Sequence, residues 1–320
     1  MNSAAGSGQQ AVGSRQSAVG SGKRFAGVFT PIVTPFTSDD VLDEKGLAAN
    51  VKRWMTTPLT GLVVLGSNGE APQLEDAEAD HAIEIVRAGV PKDRPLIVGT
   101  GRESTRATIE ATRRAAARGA DAALVRTPSF FKNAMTSEIF IRHYAEVADA
   151  SPIPVLLYNV TMYTGVTLQA DAVEQLSAHP NIVGMKESGN DLLLIGDCVS
   201  RTPDDFTVLA GSATTLFQSL CAGCDGAILA VASLLPDECV RMVQLVRENQ
   251  IAEARALQRT LMPIARSVGG GYGIPGLKAA LDLLGFAGGL PRPPLRPASK
   301  QIVETIRGQL DALGVLPVRV

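Results

Sequence analysis

Three short segments of this 320-residue chain carry side chains that packing alone does not call for. They are Lys186-Glu187-Ser188, Tyr158-Asn159 and Gly66-Ser67-Asn68-Gly69-Glu70, and each follows an apolar run. A lysine at the end of an apolar strand is costly, because loss of hydration disfavours its ammonium and lowers its pKa. The free amine that results is the form that attacks a ketone to give an imine. The competing reading of Lys186 is an ammonium paired with a carboxylate at the sheet rim. The phenol of Tyr158 could pass protons to and from a substrate hydroxyl within hydrogen-bond reach; otherwise it is a buried ring packed on its faces. Ser67, Asn68 and the backbone of their turn offer uncharged donors suited to a carboxylate, although the same four residues also make an ordinary turn.

These groups need a frame that brings them together. From Phe25 onward, near-continuous apolar runs alternate with helical stretches, which is how parallel strands covered on both faces read. The strand candidates are 27–33, 61–66, 95–101, 122–128, 154–160, 182–188, 207–212 and 226–233. Their spacing of about 20 to 35 residues is the length of a β–helix–β unit. Eight units in series predict an α/β fold, a (β/α)8 TIM barrel, whose catalytic groups collect at the C-terminal strand ends. Helices are expected at 103–120, 236–250, 251–267, 273–285 and 298–314, so residues 25–235 form the barrel strands and helices. Residues 236–320 supply its last helix and a C-terminal helical extension.

Composition narrows the function classes. A net charge of −2 gives no footprint for nucleic acid or an anionic membrane, and no apolar run of about 18 residues is present. The expected partner is a small-molecule substrate. Four cysteines fit a reducing compartment, and a cytoplasmic location is expected, with a mitochondrial one as the alternative. That alternative rests on residues 1–24, which are Gly/Ser/Ala/Gln-rich and free of acidic residues. They read as a disordered tail or as a transit peptide. Cys221-x-x-Cys224 lacks a second ligand pair and reads as two small buried hydrophobes. His81, His143 and His179 share no metal-ligand spacing, so neither a metal nor another cofactor is expected. Gly269-Gly270-Gly271 reads as a hinge between helices, and Glu70 and Glu187 as caps of helix starts.

With these segments in order, the chain from Phe25 to about residue 297 resembles the dihydrodipicolinate synthase/N-acetylneuraminate lyase family of pyruvate-dependent class I aldolases. The family's Gly-Thr-Thr-Gly-Glu, Tyr-Asn-Val-Pro and Gly-X-Lys-X-Ser motifs match Gly66–Glu70, Tyr158–Thr161 and Gly184–Ser188. Within it, GSNGE (66–70), SPIPVLLYNV (151–160), HPNIVGMKESG (179–189) and YGIPGLK (272–278) are most similar to members acting on 4-hydroxy-2-oxoglutarate. The resemblance implies that Lys186 forms the imine, Tyr158 shuttles the proton, Ser67 and Asn68 hold the pyruvyl carboxylate and Ser188 lines the pocket. The carbonyl of Ile228 would lie near the bound keto acid, and the expected assembly is a homotetramer. The implied activity is cleavage of a 4-hydroxy-2-oxo acid, such as 4-hydroxy-2-oxoglutarate or a 2-keto-3-deoxy sugar acid, to pyruvate and an aldehyde. The alternatives are dihydrodipicolinate synthase and a catalytically silent keto-acid-binding barrel. Two departures disfavour the synthase. Phe130 and Phe131 follow Thr127-Pro128 where the family has a second tyrosine, and Tyr163 stands where it has a carboxylate-gripping arginine. Arg126 is the one nearby cation that the sequence offers as a substitute.

Overall fold

Aliphatic runs buried on both faces become the strands, and the amphipathic stretches between them become the helices. In the computed structural model, which describes residues 23–317, the order is β1 (Gly27–Pro31), α1 (Glu44–Trp54), β2 (Gly61–Val64), α2 (Asp76–Gly89), β3 (Leu96–Gly99), α3 (Thr105–Ala117), β4 (Ala122–Arg126) and α4 (Ser137–Ala150). It continues with β5 (Val155–Asn159), α5 (Thr161–Thr164), α6 (Ala170–Ser177), β6 (Ile182–Glu187), α7 (Leu192–Arg201), β7 (Thr207–Ala210), α8 (Leu216–Cys221) and β8 (Gly226–Ile228). The chain ends with α9 (Pro236–Arg247), α10 (Ile251–Arg266), α11 (Gly273–Leu283) and α12 (Lys300–Ala312). All strands pair in parallel in sequence order, and β8 returns to β1 with Phe29 opposite Ile228. The sheet is therefore a closed TIM barrel.

Alternation along each strand separates two apolar layers. Phe29, Val63, Ile97, Leu124, Leu156, Leu209 and Ile228 fill the barrel interior, while Leu62, Val98, Val125, Leu157 and Val208 pack outward with the helices. Side-chain oxygens of Ser104, Thr136 and Asp191 accept backbone N–H groups at the starts of α3, α4 and α7, satisfying donors that have no intrahelical partner. Helix α9 packs on β1 and α8 to complete the ring, and α10 to α12 form the extension. Trp54 ties the two parts together: its indole donates to the Ser233 carbonyl at 3.0 Å and its ring stacks on Phe286 at 5.3 Å.

Several strands stop earlier than the sequence suggests, each for a local reason. After β2 the chain turns at Leu65, whose φ of 56° leaves the extended region. After β4 comes Thr127-Pro128, where proline removes a ladder donor. After β8, residues Ala230–Ser233 coil into a 3-10 turn. Residues 1–22, most of the segment read as a tail or transit peptide, lie outside the described residues. Lys23 and Arg24, assigned to that segment, instead belong to the barrel: Lys23 pairs with Asp225 at 2.9 Å and Arg24 with Asp121 at 3.5 Å.

Candidate active site

Strand register sets the site. Arg126, Tyr158 and Lys186 are consecutive Cα partners across β4, β5 and β6, and partners in a parallel pair share a face. All three side chains therefore enter the interior at one level, near the C-terminal strand ends. Lys186 is 5% exposed, and its Nζ donates to the Tyr158 hydroxyl at 3.4 Å while lying 4.4 Å from that ring's centroid. The Tyr158 hydroxyl is in turn 3.2 Å from Ser67 Oγ. Among the described residues Lys186 has no carboxylate partner, which sets aside the ion-pair reading of that lysine. Lys186, Tyr158, Ser67, Asn68, Ser188 and Ile228 all line one cavity of about 220 Å³. That is smaller than the ~300–1,000 Å³ typical of drug-sized ligands, and it suits a short organic acid.

Each element holds its residue by identifiable contacts. The turn bearing Ser67 and Asn68 lies between two left-handed non-glycine residues, Leu65 (φ 56°) and Glu70 (φ 57°), a conformation that persists only when its surroundings impose it. Here they do. Buried Glu70 forms an ion pair with buried Lys278 from α11 and accepts the Arg292 backbone N–H at 2.8 Å. Lys278 also donates to the Thr34 and Leu290 carbonyls at 2.8 and 2.6 Å. Burial pulls the Lys278 pKa below the ordinary lysine value, and Glu70 opposes that effect. On β6, Glu187 points away from the cavity and accepts from Asn159 and from the Gly189 backbone. Burial holds its carboxyl above the usual range, against the pull of those two bonds. Ser188 fits because Gly211 has no side chain: a Cβ there would lie 2.0 Å from Ser188 Oγ. That hydroxyl is buried with no hydrogen-bond partner among the described residues.

Other expectations need correction. Neither carboxylate caps a helix: Glu70 precedes the Ala71–Gln73 3-10 turn without a side-chain bond to it, and Glu75 and Asp191 occupy the caps of α2 and α7. Arg126 is not the cavity's spare cation, because its guanidinium is bound to Glu103 at 2.7 Å and to the Thr127 carbonyl at 3.1 Å. Ser267–Gly271 does join two helices, α10 and α11, and is itself coiled as a π-helical turn. Its Gly269 and Gly270, with Arg266 before them, line the cavity. Arg266 was missed because it ends a helix rather than a strand. Of the cysteine pair only Cys224 is buried, with its thiol pushed up to about 12 by burial; Cys221 is exposed. Phe130 and Phe131 are 77% and 72% exposed and do not border the cavity, whereas Tyr163, 51% exposed, stands at its rim. Among the described residues no group of three His, Cys, Asp or Glu is arranged to hold a metal, and no helix is long and apolar enough to cross a membrane.

Comparison with known proteins places this geometry. The chain is 35% identical over 298 residues to 4-hydroxy-tetrahydrodipicolinate synthase of Methanopyrus kandleri, a match covering 92% of this chain and 99% of the relative. The solved dihydrodipicolinate synthase of Thermotoga maritima superposes with a TM-score of 0.87 at 32% identity, covering 92% of this chain and all of that one. A prophage protein of the dihydrodipicolinic acid synthase family from E. coli K12, solved in complex with pyruvate, gives 0.85 at 30% identity, covering 91% and 99%. The dihydrodipicolinate synthetase family model matches residues 24–313. With a lysine and a tyrosine at adjoining strand ends of a closed barrel and a family match across nearly all of its length, this chain belongs to the dihydrodipicolinate synthetase family and is a pyruvate-dependent carbon–carbon lyase.

Proposed function

We propose that the chain is a Schiff-base aldolase that cleaves a 4-hydroxy-2-oxo acid to pyruvate and an aldehyde. The observation that carries the reading is the buried Lys186 side chain, which has no carboxylate partner among the described residues and lies 3.4 Å from the Tyr158 hydroxyl. Lys186 Nζ adds to the C2 ketone and water leaves, giving a protonated imine. Ser67 and Asn68 donate to the C1 carboxylate and hold C2 against Nζ. Tyr158 gives its proton to the departing water and, as the phenolate, accepts the proton of the 4-hydroxyl; the C3–C4 bond breaks, and its electron pair moves into the iminium as the aldehyde forms. The resulting enamine is protonated at C3, and water releases pyruvate and the free lysine. Positioned acid–base groups of this kind contribute about 10²–10⁴-fold.

A specific observation favours cleavage over condensation. The position that the family resemblance gives to a carboxylate-gripping arginine is Tyr163, a neutral rim residue. The second reading is synthesis from pyruvate and aspartate semialdehyde, supported by the names of the Methanopyrus and Thermotoga relatives. Two measurements test the proposal. Borohydride added with pyruvate should leave a reduced adduct on Lys186 by peptide mass spectrometry; an adduct only on another lysine rejects the assignment. Parallel kcat/KM values should favour cleavage of 4-hydroxy-2-oxoglutarate. Condensation with aspartate semialdehyde faster by tenfold would establish the synthase reading instead.

A further inference from the structure

The lining of the Lys186 cavity has an uneven charge. Its ionisable members among the described residues are the basic side chains of Lys186 and Arg266 and the phenols Tyr158 and Tyr163; no carboxylate borders it. Arg266 is the last residue of α10, a helix that packs on the Ala213–Thr215 turn following β7. Its guanidinium makes no ion pair or hydrogen bond with any described residue. Arg126 and Arg292, by contrast, are both consumed by carboxylates. Of the glycines that follow, Gly269 faces open space: a Cβ there would meet nothing within 4 Å. Ser67 and Asn68 approach from the end of β2, three strands around the closed barrel from β7. The cavity thus has an uncharged donor pair on one side, the amine of Lys186, and an unpaired guanidinium on another.

We infer that Arg266 is a specificity-determining residue that binds a second carboxylate, on the part of the substrate distal to the imine, so that this site selects dicarboxylic 2-oxo acids. The inference rests on the Schiff-base reading above and adds the substrate class. A guanidinium offers a carboxylate two parallel N–H donors. It occupies a different element from Tyr163, α10 rather than α5. With Lys186 engaged as an iminium, a dicarboxylate brings two negative charges to two positive ones, whereas a keto-deoxy sugar acid would leave Arg266 without a partner.

The test uses uncleavable probes, so that it does not depend on the aldehyde product. 2-Oxoglutarate and 2-oxopentanoate both present a ketone to Lys186, lack the 4-hydroxyl and differ in the distal carboxylate. Borohydride trapping on the intact protein should reach half-saturation at about two- to fivefold lower concentration with 2-oxoglutarate, the range of an ion pair whose cation is exposed. Arg266→Gln should abolish that preference while pyruvate labels Lys186 as in the parent. Arg266→Lys should restore part of it. Equal trapping of the two probes by the parent, or a preference that survives Arg266→Gln, overturns the inference while leaving the imine chemistry standing. Failure of pyruvate itself to label Lys186 overturns the Schiff-base reading and this inference with it.

Discussion

At the scale of single residues, the lining of the candidate site was legible wherever a polar group sat at a strand end. Lys186 and Tyr158 were conspicuous because each interrupts an apolar run, and the cavity contains both along with Ser67, Asn68, Ser188 and Ile228. Arg266 was not legible by that route. It lies in a helical stretch rich in arginine, where one more reads as solvated surface, and only the following Gly269–Gly271 hinted at an unusual turn. The Tyr158 hydroxyl lies between Ser67 Oγ and Lys186 Nζ, at 3.2 and 3.4 Å, so removing that one oxygen separates proton transfer from imine formation. Tyr158→Phe should lower turnover by about 10²–10⁴-fold while borohydride still traps pyruvate on Lys186. Turnover within a few-fold of the parent would make Tyr158 a packing residue.

At the scale of elements, strand order and helix positions followed from hydrophobic period, but strand ends did not, because they depend on turn geometry at Leu65, Pro128 and Ala230. The Glu70–Lys278 pair was equally hidden. It joins residues more than two hundred positions apart, and nothing local in either segment announces the other. Its consequence is measurable. Glu70 Oε2 holds the Arg292 backbone, and the Arg292 guanidinium bonds Glu78 at 2.7 and 2.8 Å, so one buried carboxylate anchors the Ser67–Gly69 turn to the C-terminal segment. Lys278→Met should leave that charge unpaired and cost about 3–5 kcal/mol in denaturant unfolding. Adding Glu70→Gln should recover part of the loss. A single variant as stable as the parent would show that the pair is replaceable by water.

At the scale of the whole molecule, the barrel was the most legible feature, because eight repeats of one pattern leave few alternatives, whereas residues 23 and 24 joined it through ion pairs that composition does not reveal. The interior also sets a pH response. His143, on α4, is 5% exposed, with Nδ1 2.9 Å from Thr105 Oγ1, and burial holds its imidazole down at about 4 despite the opposing charges of Glu146 and Glu103. The unfolded chain binds this proton at the ordinary histidine value of 6.5. The stabilisation is therefore complete above that pH and is lost progressively as pH falls towards 4, by about 3 kcal/mol for this group. Unfolding free energies should show that slope, and His143→Gln should flatten it; an unchanged slope would assign it to carboxylates. Closure of the barrel has a further consequence for synthesis on the ribosome. Gly27–Phe29 find their second neighbours only in Gly226–Ile228, and Glu70 waits longer still for Lys278. Pairings so distant in sequence make folding slow. For most of translation the first strand is an open edge, able to pair with other chains, and the turn that carries Ser67 is fixed only after α11 has emerged.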